Sequence, residues 1–386
     1  MSEWKEYKLG ELTIDGKGHY GIAAPAVEYD SSKYTYLRIT DINDDGTLNK
    51  CGLKSVSDAK AKDFLLRPND IVFARTGASV GRSYFYDGKD GELVYAGFLI
   101  MFRLDPEKVC PYIIKAYTHS QEYYDWIRAV DNGATRGNIN AQTYASMPIV
   151  LPPLDEQKRI AGVLSSLDDK IDLLHRENAT LEALAETLFR HYFIENPDPT
   201  WKEGKLGDEF DFTMGQSPSG DSFNEEGIGI PMYQGNADFG FRFPTRRVYT
   251  TAPTRFAEEN DTLISVRAPV GAQNMASEKC CIGRGVAAFR HKNKSLYSYT
   301  YYKLKSLLED IRQFNDNGTV FGSISKSDFE NIDIVIPNMA DIVVFQQQAM
   351  PIDEKIRNNH HQILALSTQR DSLLPRLISG EAKVIC

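Results

Sequence analysis

The chain has 386 residues, enough for two or three folding units, and at 42% hydrophobic and 25% charged it has the composition of an ordinary globular protein. No apolar run reaches membrane-spanning length, and the opening stretch Met1–Leu12 is polar and charged; both argue against an anchor or signal peptide, and the cytoplasm is the expected location. The net charge of -9 speaks against a uniformly basic surface, yet residues 239–294 hold ten basic and four acidic side chains, so a local phosphate-binding face can exist.

In chain order, the first domain is expected over residues 1–152. Alternating segments at Tyr36–Ile39 and Asp70–Phe73 read as strands. A helical stretch follows over roughly 111–130 and stops at Asp131-Asn132-Gly133, where glycine suits a helix end. A short strand at Pro148–Leu151 precedes a spacer helix over 153–195, which starts after Pro152-Pro153. A second domain over 196–338 repeats this order, with a helix around 298–314 ending at Asp316-Asn317-Gly318 and a strand at Asp333–Ile336. A final helix over 339–386 closes the chain; Pro351 inside it predicts a kink or restart near Ala349.

The two halves are an internal repeat. Trp4-Lys5-Glu6 and Lys8-Leu9-Gly10 recur as Trp201-Lys202-Glu203 and Lys205-Leu206-Gly207. Asn69-Asp70, Arg75 and Val80-Gly81 recur as Asn260-Asp261, Arg267 and Val270-Gly271. From Asp131 onward the match runs without a gap at a constant offset of 185, so that Asp168, Lys170 and Ile171 map to Asp353, Lys355 and Ile356.

Both long helices carry an apolar seam whose spacing alternates four and three. In the first it reads Ile160, Leu164, Leu167, Ile171, Leu174, Asn178, Leu181, Ala185, Leu188, Tyr192. In the second, at the same phase, it reads Phe345, Ala349, Ile352, Ile356, Asn359, Ile363, Leu366, Arg370, Leu373, Leu377. If each copy holds its helix alike, a pseudo-two-fold relates them and the helices run antiparallel as a coiled coil. Ile160 then faces Leu377, and Asn178 falls opposite Asn359. About forty residues of helix give roughly 60 Å of separation. An ordinary helical hairpin packed on a globular core is the competing arrangement. The fold class is α+β: two repeated α/β domains joined by two long helices.

At this point the chain resembles the specificity (S) subunits of type I restriction-modification systems. Gly18–Ile22, Tyr36–Ile42 and Phe73–Gly81 are similar to their target recognition domains, as are Met214–Pro218 and Ser265–Gly271 in the second half. Pro152–Ile160 resembles the start of the family's central helix, and Arg370–Glu381 its C-terminal ending. The second copy of Pro-Pro-Leu-x-Glu-Gln is degraded to Pro337–Ile342. The resemblance implies that each recognition domain reads one half of a split, asymmetric site on double-stranded DNA, with the helices setting the spacing. It further implies two modification subunits that bind S-adenosylmethionine and methylate adenine, and restriction subunits that use ATP and Mg. No cofactor is expected in this chain.

The residues themselves point to a non-catalytic role. There is no Asn-Pro-Pro-aromatic loop for adenine methylation; Asn196-Pro197-Asp198-Pro199 is the nearest stretch. Gly16–Gly21 matches GxGxxG in form, but no helical pattern follows it. Asp155–Lys158 faintly resembles a nuclease trio, but acids at a helix start suit the dipole. No Walker A motif is present. Cys51, Cys110, Cys280, Cys281 and Cys386, and the seven histidines, show no metal spacing, so no metal is expected.

Candidate base readers are polar loop side chains that can pair with base edges. In domain one these are Arg38, Arg75, Thr76, Ser79, Arg82, Arg136 and Asn138. In domain two they are Gln216, Ser217, Gln234, Asn236, Arg242, Arg246, Arg247, Arg267 and Arg284. A free-standing DNA-binding regulator with two reading heads, or a scaffold that uses only its coiled coil, are the other readings the sequence leaves open.

Overall fold

The computed structural model describes residues 4–131, 138–267, 269–309, 311 and 324–384. Arg136, Cys386 and the expected helix stops at Asn132-Gly133 and Asp316–Gly318 lie outside the described residues. The chain forms two compact units, Met1–Asp172 with Ile363–Cys386, and Leu173–Gln362. The central helix Leu154–Arg190 and the C-terminal helix Met339–Ile378 each contribute a segment to both units.

Unit 1 opens and closes its globular part on neighbouring strands. Lys5–Lys8 pairs antiparallel with Pro148–Leu151, and the Leu9 N–H donates to the Met147 carbonyl at 3.0 Å. Unit 2 does the same with Lys202–Lys205 against Asp333–Ile336, and the Leu206 N–H donates to the Ile332 carbonyl at 2.9 Å. The repeated Trp-Lys-Glu and Lys-Leu-Gly segments encode this closure.

Each unit then builds two sheets. In unit 1 an antiparallel sheet orders His19–Tyr20, Leu99–Arg103, Asp70–Ala74 and Ser83–Tyr86. A second sheet orders Ala26–Val27, Lys54–Val56, Thr35–Leu37 and Leu93–Tyr95, the last pair parallel. Unit 2 repeats both: Phe210–Met214, Val286–His291, Thr262–Ser265 and Gln273–Met275 form the first. Its second sheet contains the matching parallel pair, Ile230–Tyr233 with Cys280–Ile282, and one more strand at the edge, Phe256–Ala257.

The repeated Asn-Asp has a physical basis at the entry to a central strand. Asn69 and Asn260 are the two non-glycine residues of positive φ among those described, at 75° and 72°. Asparagine tolerates this left-handed turn better than most side chains. The aspartate that follows is buried and does two jobs. Asp70 accepts from the Arg67 N–H at 2.7 Å and holds Arg103 of the neighbouring strand at 2.8 Å. Asp261 accepts from the Glu258 N–H at 2.8 Å and holds Arg290 at 2.5 Å.

Two helix expectations are corrected. The stretch expected as one helix over 111–130 is two, Pro111–Tyr117 and Gln121–Asp131, because the Ser120 hydroxyl accepts from the Tyr123 N–H at 3.2 Å and starts a new helix. The C-terminal helix does not restart near Ala349: it runs unbroken through Pro351. Pro351 is exposed, so its ring and the unpaired carbonyl behind it face water, where the loss is one backbone bond.

The seam positions are all buried or half-buried. Ile160, Leu164, Leu174, Asn178, Ala185, Phe345, Ala349, Ile356, Asn359, Ile363 and Leu377 are buried. Leu167, Ile171, Leu181, Leu188, Ile352, Leu366 and Leu373 are half-buried. In unit 1, Ile160 and Leu164 share one core with Leu377, Ile149 and Leu151, so the helices and the globular part bury each other. In unit 2 the Phe189 and Phe345 rings meet at 5.5 Å, and Gln348 donates to the Tyr192 hydroxyl at 2.8 Å. In the same unit Asn178 meets Asn359: the partner number falls from 359 to 345 as the first helix advances from 178 to 189, so the segments run antiparallel there. Each fully buried Leu, Ile or Phe side chain contributes about 1.5–3 kcal/mol.

Candidate nucleic-acid interface

Arg38, Arg75, Thr76, Ser79, Gln216, Ser217, Gln234, Asn236, Arg267 and Arg284 sit where the strand ends of the two sheets of a unit cross; Arg82, Arg242, Arg246 and Arg247 lie outside the crossing. The backbones there approach too closely for side chains. A Cβ on Gly21 would lie 2.3 Å from the Ala96 carbonyl, and one on Gly215 would lie 2.1 Å from that of Gly283. Equivalent bonds define the crossing. The Gly21 N–H donates to Leu99 and the Ala96 N–H to Leu37; the Gly215 N–H donates to Val286 and the Gly283 N–H to Tyr233. Four loops thus converge in unit 1, around residues 20–22, 38–41, 75–80 and 96–98, and four in unit 2, around 215–217, 234–238, 266–270 and 283–285.

This frame shifts one part of the repeat. The Arg75 N–H donates to the Phe98 carbonyl, and its own carbonyl accepts from the Ile139 N–H. In unit 2 those bonds belong to Val266, with the Gly285 carbonyl and the Ile324 N–H. Arg75 therefore corresponds to Val266, and Arg267 corresponds to Thr76. The loop to Gly271 is one residue shorter than that to Gly81, but the offset of the arginines precedes it: Arg75 lies five residues after Asp70, and Arg267 six after Asp261. Successive residues of an extended chain face opposite ways, so the two arginines are not equivalent.

The candidates separate by their partners. Arg38 is tied to Asp41 by bonds of 2.8 and 2.6 Å, and Arg82 to Asp44 at 2.6 Å. Arg246 pairs with Glu278 and Arg247 with Asp238, each at 2.5 Å. An arginine so paired must break a bond before it can serve a base or phosphate. Among the described residues no carboxylate lies within ion-pair distance of Arg75, Arg267 or Arg284. Arg267 and Arg284 are exposed, and Arg75 is half-buried.

The polar candidates belong to the same loops. Thr76 and Ser79 are half-exposed on the turn after Arg75, and Thr76 bridges to Asn138. Gln216, Gln234 and Asn236 are exposed. The Ser217 hydroxyl accepts from the Arg284 N–H at 3.2 Å, and the Gln234 N–H donates to Asp238 at 2.7 Å.

Arg242 is a correction. It is only 2% exposed and cannot reach a base. Its guanidinium lies 3.7 Å from the Tyr301 ring centroid, bonds the Tyr302 hydroxyl at 2.5 Å and pairs with Asp353 at 3.0 Å. Burial pushes the Asp353 carboxyl up despite Arg242. Asp353 is the repeat mate of Asp168, which does the same work in unit 1. Asp168 accepts from the Tyr112 hydroxyl, from Lys115 at 3.1 Å and from Arg370 at 3.0 Å. Burial pushes the Asp168 carboxyl up, but Lys115, Tyr112 and Arg370 outweigh it and hold it below the usual range. Each acid fastens its long helix to the globular part of its own unit.

Two exposed aromatics belong to the unit 1 crossing and are not among the candidate base readers: Tyr20, 44% exposed, and Phe98, 60% exposed. Phe98 sits in the apolar run Phe98–Phe102, which reads as buried strand throughout; only its place at the strand end exposes it.

Residues 1–183 and 199–365 match the sequence profile of the type I restriction modification DNA specificity domain. The chain belongs to this family. As a specificity subunit it is similar to the provisionally named type I restriction enzyme MjaX specificity subunit of Methanocaldococcus jannaschii, at 28% identity over 92% of this chain and 88% of that one. It is also similar to the type I restriction enzyme HindI specificity subunit of Haemophilus influenzae, at 21% identity over 99% of this chain and 100% of the other. The fold is shared with the S subunit of the type I system of M. genitalium, at a TM-score of 0.60 and 18% identity, over 97% and 96% of the two chains. Among the described residues no helix is long and apolar enough to cross a membrane, and no cluster of His, Cys, Asp and Glu suits a metal ion.

Proposed function

We propose that this specificity subunit reads a bipartite, asymmetric site on double-stranded DNA, one half with each unit. The observation that carries the reading is that one loop crossing occurs twice in the chain with different chemistry on it. Unit 1 offers Tyr20, Arg75, Phe98 and Asn138, whereas unit 2 offers Gln216, Gln234, Arg267 and Arg284. One frame with two sets of donors and acceptors fits two unlike half-sites better than a palindrome.

In this reading the chain performs no chemistry of its own. Two modification subunits dock on it, bring S-adenosylmethionine and methylate adenine in each half-site. Restriction subunits supply the ATP- and Mg-dependent steps, the long helices set the spacing between half-sites, and the assembly works in the cytoplasm. The deciding experiment is co-expression with the modification subunit followed by mapping of methylated adenines across a genome. The expected result is one split motif with two unlike halves. A contiguous or palindromic motif, or methyl transfer by the purified chain alone, would refute the reading.

A further inference from the structure

We propose that Arg75 reads a guanine in the half-site of unit 1, and that Tyr20 and Asn138 are positioning residues that aim it; this deepens the reading above and rests on it. Only two arginines of the unit 1 recognition domain have no carboxylate partner among the described residues, Arg67 and Arg75. They flank opposite ends of the strand Asp70–Ala74, and Arg75 is the one at the loop crossing.

The Arg75 guanidinium is held on two sides. It lies over the Tyr20 ring, 4.8 Å from the centroid. Its Nη2 donates to the Asn138 Oδ1 at 3.1 Å. Tyr20 is itself fixed, because its hydroxyl accepts from the Ala141 N–H at 3.1 Å, at the start of the helix Ala141–Ala145. A guanidinium stacked on a fixed ring and tethered at one nitrogen has already lost most of the rotamer freedom that binding would otherwise remove.

The donors that remain match one base edge. The Arg75 Nε is enclosed, with no partner among the described residues, and so cannot reach a ligand. One Nη2 hydrogen serves Asn138. The second Nη2 hydrogen and the Nη1 hydrogens form an end-on pair of donors. In the major groove guanine presents two acceptors side by side, O6 and N7. Adenine sets an amino donor beside its N7, so the same pair of N–H groups would meet a donor and lose one bond. A phosphate also offers paired acceptors, but contact there would carry no sequence preference.

The test uses the complex of this chain with its modification subunit, read by methylation mapping and by binding to a library randomised at each half-site. Arg75→Ala should relax one guanine position in one half of the motif, with about a ten- to hundredfold loss of discrimination there. Arg75→Gln should move the preference at that position toward adenine. Tyr20→Leu should weaken the same preference, and Tyr20→Phe, which keeps the ring, should restore most of it. The other half of the motif and the thermal midpoint should stay fixed throughout. Equal weakening on all sequences by Arg75→Ala would mark a phosphate contact and overturn the proposal. So would an unchanged motif, or a wild-type half-site without guanine. A wild-type complex with no sequence-selective binding would sink the parent reading, and this proposal with it.

Discussion

The Asn359 side-chain amide donates to the Asn178 side-chain carbonyl at 2.8 Å, and both residues are buried. Glu177 accepts from the same Asn359 nitrogen at 3.0 Å, and the Asn359 carbonyl oxygen has no partner among the described residues. A half-satisfied buried amide pair costs stability and fixes register, since a heptad slip would bury each amide against an apolar side chain.

Asn178→Leu alone should destabilise unit 2 by about 1–3 kcal/mol, because Asn359 keeps only Glu177 as an acceptor. Leucine at both positions should raise the denaturation midpoint above either single variant. A double variant less stable than both singles would show that the pair stabilises and does not merely specify.

The contrast between Arg242 and Arg267 gives a second prediction. Arg242→Ala removes the buried partner of Asp353 and should cost about 3–5 kcal/mol in a denaturant titration. Arg267→Ala removes an exposed charge with no carboxylate partner among the described residues and should leave the midpoint unchanged. If Arg267 meets phosphate, it should lower the salt slope of DNA binding by about one. Equal effects of the two substitutions on stability would contradict the placement of these side chains.

The turn at Asn69 offers a local test. Asn69→Gly should be nearly neutral, whereas Asn69→Ala should cost about 1 kcal/mol, since alanine at a φ of 75° is strained. The same pair of substitutions at Asn260 should cost more with either residue, because the Asn260 side chain also accepts from Arg357. Melting curves of the four variants check both statements.

A pH dependence follows from His360. Burial, the neighbouring His361 and then Arg357, His175 and Arg246 push its imidazole down to about 4 from an ordinary 6.5. Between these values the unfolded chain binds a proton that the folded chain refuses. The contribution is therefore present above about 6.5 and lost as pH falls toward 4. Carboxylates titrate in part of this window, so the informative quantity is the difference from His360→Gln. That variant should show a shallower loss of thermal midpoint between pH 6.5 and 4; an identical slope would remove His360 from the account.

Much of the fold was legible because the chain states it twice. The constant offset and the four-three spacing of apolar residues require no knowledge of tertiary contacts, and they suffice to bring Asn178 opposite Asn359. The site was harder to see. Arg75 and Arg267 look like mates in the sequence, but Arg267 stands one position further from its Asn-Asp pair than Arg75 does, so the two face opposite ways, as the backbone bonds to Phe98 and Gly285 show. Arg242 lies in the basic window 239–294, yet it is an internal strut, since its partner Asp353 is more than a hundred residues away. Nothing in local composition separates an arginine that meets water from one that meets a buried acid. Tyr20 was passed over for a related reason: its role comes from the ring lying under Arg75, which is a tertiary fact.

The closure of each recognition domain on adjacent strands has a consequence for how such genes change. Because Lys5–Lys8 lies beside Pro148–Leu151, the segment between them enters and leaves the fold at one place. The same holds between Lys202–Lys205 and Asp333–Ile336, and the flanking stretches resemble each other in the two copies. Recombination between those flanks would exchange one reading head as a cassette and leave the shared framework untouched. A lineage could acquire a new half-site in one event, without passing through intermediates that fail to fold.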